Sequence, residues 1–165
     1  MEFNLENKEQ VYIGIDVGGS GAIAITNGRE ILNVITNDNT DADLSEFIQE
    51  AKDRYDIVKC MIENVHSMPK QGVSSSFKFG ESKGFLRGLI VAHKIPFEEA
   101  SPQKWMKHYG LSGKGFDSKT EHKNNLKNYA QRLYPNMKIT LKTADAILLA
   151  HYSFLINNNL YNNER

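Results

Sequence analysis

The chain has 165 residues, 24% of them charged, with 20 Lys/Arg against 20 Asp/Glu. That length suits one domain with a real core, no run of about 18 apolar residues marks a transmembrane helix, and the polar, acidic start MEFNLENKEQ argues against a signal peptide. The lone Cys60 lies in the apolar run IVKCMI and reads as core; it has no partner for an internal disulfide, which fits a reducing, cytoplasmic compartment.

The zero net charge hides a segregation. Residues 1–65 hold 5 Lys/Arg against 13 Asp/Glu, and residues 66–142 hold 14 against 5. A basic middle follows an acidic first third, and such a block is either a solvated face or a footprint for phosphates.

In chain order, Val11–Val17 and Ala22–Thr26 read as strands joined by a glycine turn, and Glu30–Thr36 as a third strand reached through Asn27-Gly28. Ala42–Asp53 carries Leu44, Phe47, Ile48 and Ala51 at helical spacing. Ile57–Glu63 is a short apolar strand ending in a carboxylate. Asn64–Ser75, with Gly, Pro and Ser, reads as loop, and Phe77–His93 as a helix with Phe85, Leu89 and Ala92 on one face. A short strand at Ile95–Ala100 and a short helix at Pro102–Tyr109 come next. A glycine-rich loop at Leu111–Phe116 leads to helices at Ser118–Leu133 and Leu141–Ile156. This order predicts an α/β fold: a mixed five-stranded sheet with helices on its faces. The core spans about residues 11–155, between polar ends.

Three carboxylates stand at element ends. Asp16 closes the first strand in VYIGIDVGGSGAIAI, Glu63 closes the fourth, and Asp145 opens the last helix in TADAILLAHY. Singly, each has an ordinary explanation: a turn cap, a strand-edge charge, a carboxylate at a helix N-terminus. Brought to one rim they would repel, raising their pKa values and costing stability unless a cation lay between them. An all-oxygen site of that kind suits Mg²⁺ or Mn²⁺ and two-metal attack on a phosphodiester. No His/Cys spacing points to zinc.

The order of these acids resembles the RNase H-like nuclease fold. The segment ENVHSMPKQGVSSSFKFGESKGFLRG (Glu63–Gly88) is more specific, and is similar to the one that follows the catalytic Glu in RuvC-type Holliday junction resolvases of the phage and organelle-like branch. SPQKWMKHYGL and KTADAILLAHY match that branch in order and spacing, so the resemblance covers roughly Val11 to Phe154. It implies a single RNase H-like nuclease domain that works as a homodimer on four-way DNA junctions and nicks two strands symmetrically. Asp16, Glu63 and Asp145 match the family's metal ligands, and His66 falls near an aromatic that wedges against unstacked bases in some relatives. One position departs. Where the family carries a fourth ligand, a carboxylate or sometimes a histidine, one turn before the last Asp, this chain has Lys142. A lysine cannot ligate Mg²⁺; it would contact the scissile phosphate, orient water, or sit idle beside a three-carboxylate site.

With that resemblance, the basic residues become candidate phosphate contacts. His66, Lys70, Gln71, Ser74, Ser75 and Lys78 lie in or after the loop behind Glu63, the serines doubling as a helix N-cap. Lys119 and Lys123, with Lys127, recur at i, i+4, i+8 as one stripe. Phe77 and Phe79, at helix-start spacing, read as core before base-stacking groups. Trp105 and Tyr109 read as a packing pair, and the Phe77–His93 face as either sheet cover or dimer seam. Three other functions fit parts of the pattern. GIDVGGSGAIA also resembles the phosphate turn of sugar kinases and actin-like ATPases. A non-catalytic junction-binding protein would need only the basic block, and other RNase H-like nucleases share the acids. The Asn, Lys and Ile content suits an AT-rich bacterium or its phage, placing the protein in a bacterial or phage-infected cytoplasm.

Overall fold

A computed structural model of the chain describes residues 7–66, 72–112 and 115–160. Five strands form one sheet: β1 (Gln10–Ile15), β2 (Ala22–Thr26), β3 (Ile31–Thr36), β4 (Asp56–Glu63) and β5 (Phe97–Ala100). The sheet order is β3-β2-β1-β4-β5. The first three strands meander antiparallel, whereas β4 pairs parallel with β1 and β5 parallel with β4. Five of the six β1 residues are buried, which is why its sequence is an apolar run rather than an alternation.

Helices cover both faces. On one face, α1 (Asp41–Arg54) and α2 (Val73–Ala92) pack Leu44, Ile48, Leu86 and Ile90 against Val11, Ile13 and Ile15. On the other, α3 (Pro102–His108), α4 (Lys119–Leu133) and α5 (Ala144–Asn157) surround Trp105, Leu126 and the apolar body of α5. Residues Ala144 to Ala150 of α5 are all buried, so this helix lies inside the molecule. Gly14 makes that possible. A Cβ there would come within 2.2 Å of the Ala146 carbonyl oxygen and the Ala150 nitrogen, so only glycine lets β1 and α5 touch backbone to backbone.

The expected elements are present; β1 ends at Ile15 and β5 begins at Phe97, each two residues inside its expected bound, and two helix starts move further. The loop expected over Asn64–Ser75 ends earlier, because α2 begins at Val73 and is capped by Gly72 rather than by a serine, without a side-chain cap bond. Ser74 and Ser75 sit in its first turn, where N–H groups lack intrahelical acceptors and serine is tolerated. The last helix starts at Ala144, not Leu141, since Thr140 and Thr143 close a turn on each other; the Thr140 amide donates to Thr143 Oγ1 at 3.1 Å. Cys60 is buried, and its thiol is pushed far up by burial, as a core cysteine should be. No helix of the described residues is long and apolar enough to cross a membrane.

Candidate active site

Parallel pairing brings the ends of β1 and β4 to the same edge of the sheet, and α5 begins beside them. Asp16, directly after β1, Glu63, the last residue of β4, and Asp145, the second of α5, thereby converge. One oxygen from each lies within 4.8 Å of the others. Glu63 and Asp145 are buried, and Asp16 keeps part of its surface open.

All three carboxyls are held above their ordinary range. Burial is the main cause for each; for Asp16 the Glu63 and Asp145 charges add to it, and for Glu63 the Asp145 charge does. Buried carboxyls this close together favour a positive charge between them. Their donors are carboxylate oxygens only, in a buried cluster with room for a small ion, and this fits a hard divalent cation.

The protein's own groups tune the cluster. The indole N–H of Trp105 donates to Glu63 Oε1 at 3.2 Å and fixes that carboxylate from α3. Lys123 of α4 draws all three carboxyls back towards ionisation, with His122 also acting on Asp145. His122 is anchored, its Nε2–H donating to the Leu111 carbonyl at 2.7 Å. Lys142 is engaged elsewhere. Its ammonium meets Asp38 Oδ2 at 2.7 Å on the surface and holds the Asp38 carboxyl down to about 2.

The turn after Asp16 is built as a clamp. The Asn37 side-chain amide donates to the carbonyls of Asp16 at 2.7 Å and Gly18 at 2.8 Å. Gly18 has φ +99°, and a Cβ on Gly21 would fall 2.1 Å from the Asp16 carbonyl oxygen. Gly18 and Gly21 therefore serve the turn itself, whereas a Cβ at Gly19 would meet nothing.

The architecture is shared with solved structures. RuvC of T. thermophilus in complex with a Holliday junction substrate superposes with a TM-score of 0.62 at 14% identity, covering 91% of this chain and 96% of that one. A second Thermus thermophilus RuvC structure gives 0.58 at 15% identity over 92% and 97%. The yeast mitochondrial Holliday junction resolvase gives 0.53 at 16% over 94% and 82%. No protein-family model and no curated protein matches the sequence. The chain has the RuvC-type, RNase H-like fold.

Within this RuvC-type fold the candidate residues separate into groups. Asp16, Glu63 and Asp145 meet; Lys123 faces them; Lys142 is paired with Asp38. His66, Ser74, Ser75, Lys78 and Lys119 are exposed, and Lys70 and Gln71 lie outside the described residues. Phe79 packs on the α1/α2 core as expected, but Phe77 does not, being 71% exposed. Trp105 and Tyr109 do pack edge to face, with ring centroids 6.4 Å apart. Sequence reasoning missed the indole's bond to Glu63, although a buried tryptophan N–H always raises the question of its acceptor. Lys83, one of the basic residues read as a candidate phosphate contact, instead donates to Asn64 Oδ1 at 2.9 Å and ties the segment after Glu63 to α2, a contact the sequence did not show.

Proposed function

We propose that the protein is a divalent-metal-dependent endonuclease that resolves four-way DNA junctions as a homodimer. The observation that carries this reading is the meeting of Asp16, Glu63 and Asp145 within 4.8 Å. A protein that merely binds DNA gains nothing from buried acids at a basic surface, whereas a nuclease needs them.

Asp16, Glu63 and Asp145 would hold Mg²⁺, or Mn²⁺ in its place. When bound, such ions supply an activated water and neutralise charge on the phosphate and the leaving oxygen. Trp105 keeps Glu63 aimed at the site, and the Asn37 clamp fixes the backbone of Asp16. Lys123 adds positive charge where the phosphate would enter. Lys119, Lys78 and the serines Ser74 and Ser75 would contact flanking phosphates, with His66, Lys70 and Gln71; such contacts bring strong salt dependence and little sequence readout. Lys142 would exchange Asp38 for a phosphate.

The homodimer is supported by α2. Val73, Phe77 and Val91 are 89%, 71% and 55% exposed, and Cβ atoms added to Gly80, Gly84 and Gly88 would meet nothing. At 3.6 residues per turn these six positions share one face, opposite the buried Leu86, Leu89 and Ile90. Two such smooth stripes can approach closely across a two-fold axis.

The test is a nicking assay on a synthetic four-way junction, beside linear duplex and RNA–DNA hybrid, with and without EDTA. Symmetric nicks on the junction that vanish with EDTA are expected. Equal cutting of hybrid, or cutting that survives EDTA, would overturn the reading.

A further inference from the structure

The clamp that holds Asp16 has a second side. On the sheet face opposite α5, a cleft of about 630 Å³ opens between the Gly18–Ser20 turn, the start of α1 and α2. It does not contain the three acids. The two sites nevertheless share a wall, because one amide, that of Asn37, holds both the Asp16 and the Gly18 carbonyls.

The lining specifies a type of ligand. Its floor is apolar, made by Val17, Leu44 and Leu86 with the rings of Phe79 and Phe85. The Phe79 ring lies against the turn, 3.5 Å from where a Gly18 Cβ would be. One cation, Lys78, and two carboxylates, Asp41 and Glu81, stand among the lining groups with Ser75 and Ser82. A polyphosphate would meet more negative than positive charge there. A flat, uncharged group with N–H edges would meet aromatic faces below and acceptors around it, with Lys78 left for one phosphate. That describes a nucleobase on its backbone. Gly19, with nothing against its Cβ position, leaves the backbone a way past the turn. Lys78 and Ser82 lie on a different face of α2 from the stripe assigned to the dimer, whereas Glu81 borders that stripe.

We propose that this cleft receives one unpaired nucleobase of the strand being cut, next to the scissile phosphate, and so selects the position of the cut. The proposal rests on the nuclease reading. Unstacking the base is least costly at a junction, where pairing is already interrupted, so the cleft would favour branched over linear DNA.

The experiment uses the full chain and a junction with a mobile centre, carrying 2-aminopurine beside the preferred cut, bound in Ca²⁺ and then cut in Mg²⁺. Wild type should brighten the 2-aminopurine at that nucleotide and concentrate its cuts at one position. Ser82→Leu, which narrows the cleft with a good helix former, should lose the brightening and reduce the positional preference by about tenfold, a common discrimination for one base contact. Glu81→Gln provides a second variant and should redistribute the cuts. Melting and Mn²⁺ titration of both variants check that the three acids are intact. Unchanged fluorescence and cut positions in intact variants of a protein that nicks the junction would overturn the cleft proposal alone. A wild type that neither binds nor nicks the junction would end the nuclease reading and this one with it. Tight Mg-ATP binding abolished by Ser82→Leu, or loss of the dimer in that variant, would assign the cleft to another occupant and overturn the proposal.

Discussion

The two faces of the sheet are built on opposite terms. The α5 face is closed: seven consecutive residues at the start of α5 are buried, and Gly14 brings the helix backbone onto β1. The α2 face is open along one side, with three glycines unopposed and Val73, Phe77 and Val91 in solvent. Chemistry that depends on three acids within 4.8 Å needs the closed face, because a loose frame would let repulsion part them. The proposed recognition of a branched polymer would use the open one. At the rim between them the Asn37 side chain joins backbone hydrogen bonds in holding the turn after Asp16.

The largest effect should come from Asp16→Asn. It removes one acid from the cluster and should cost junction nicking more than the roughly 10–100-fold typical of losing an outer partner of a metal site. The same change should make the metal-free protein more stable. The folded-state pKa of each acid is raised above its unfolded value, so the stability they contribute is complete below the unfolded carboxylate range and is lost as pH rises through the folded values. Wild type in EDTA should therefore lose more stability than Asp16→Asn as pH rises above the ordinary carboxylate range, and Mn²⁺ should restore it only in wild type. Parallel melting curves for the two proteins, with no response to Mn²⁺, would remove the electrostatic basis of the closed face.

Trp105→Phe tests the frame without touching a ligand. It keeps most of the packing and removes the N–H from Glu63, so metal affinity or nicking should fall about 10–100-fold with little change in fold. An unaltered Mn²⁺ titration would show that packing alone positions Glu63.

How much of this the sequence revealed follows the same division. The sheet, its helices and the three acids were legible because apolar periodicity and strand-end charges are local signals, and Asp16, Glu63 and Asp145 each interrupt an apolar run at an element end; it was their joint order, not any one of them, that pointed to a site. The partners of those acids were not. Trp105 looked like packing, because an indole's acceptor lies wherever the fold brings it, here 42 residues away. Asn37 sat in a polar run, TNDNTD, with nothing to distinguish it from its neighbours. Phe77 and Phe79 differ by two positions on one helix, so they point to different sides; only the placement of α2 decides which is buried.

Glycine substitutions separate the two faces thermodynamically. Gly14→Ala forces a methyl group into backbone atoms of α5 and should destabilise by about 1–3 kcal/mol or more, with loss of nicking as Asp145 shifts. Gly84→Ala meets nothing and should stabilise the monomer by about 0.5–1 kcal/mol through helix propensity, while weakening any dimer that uses the α2 stripe. Denaturant melts and sedimentation read both terms. A Gly84→Ala protein that dimerises as well as wild type would take the stripe out of the interface.

The smallest structural effect belongs to Lys142, and its value lies in contrast with Lys123. Both lysines come from the face of α4 and α5, yet Lys123 acts on all three acids and Lys142 is held by Asp38 at half-exposed positions on the surface. A surface pair adds little to folding, so Lys142→Ala should melt like wild type. Nicking separates the two ways of reading its place. If the ammonium leaves Asp38 for a phosphate, Lys142→Ala should weaken junction binding, most visibly at low salt, and Lys142→Asp should weaken it further by adding a repelling charge. Faster cleavage by Lys142→Asp would instead mean that the position serves best as an additional metal ligand, and that this chain works with one carboxylate fewer than its geometry could hold.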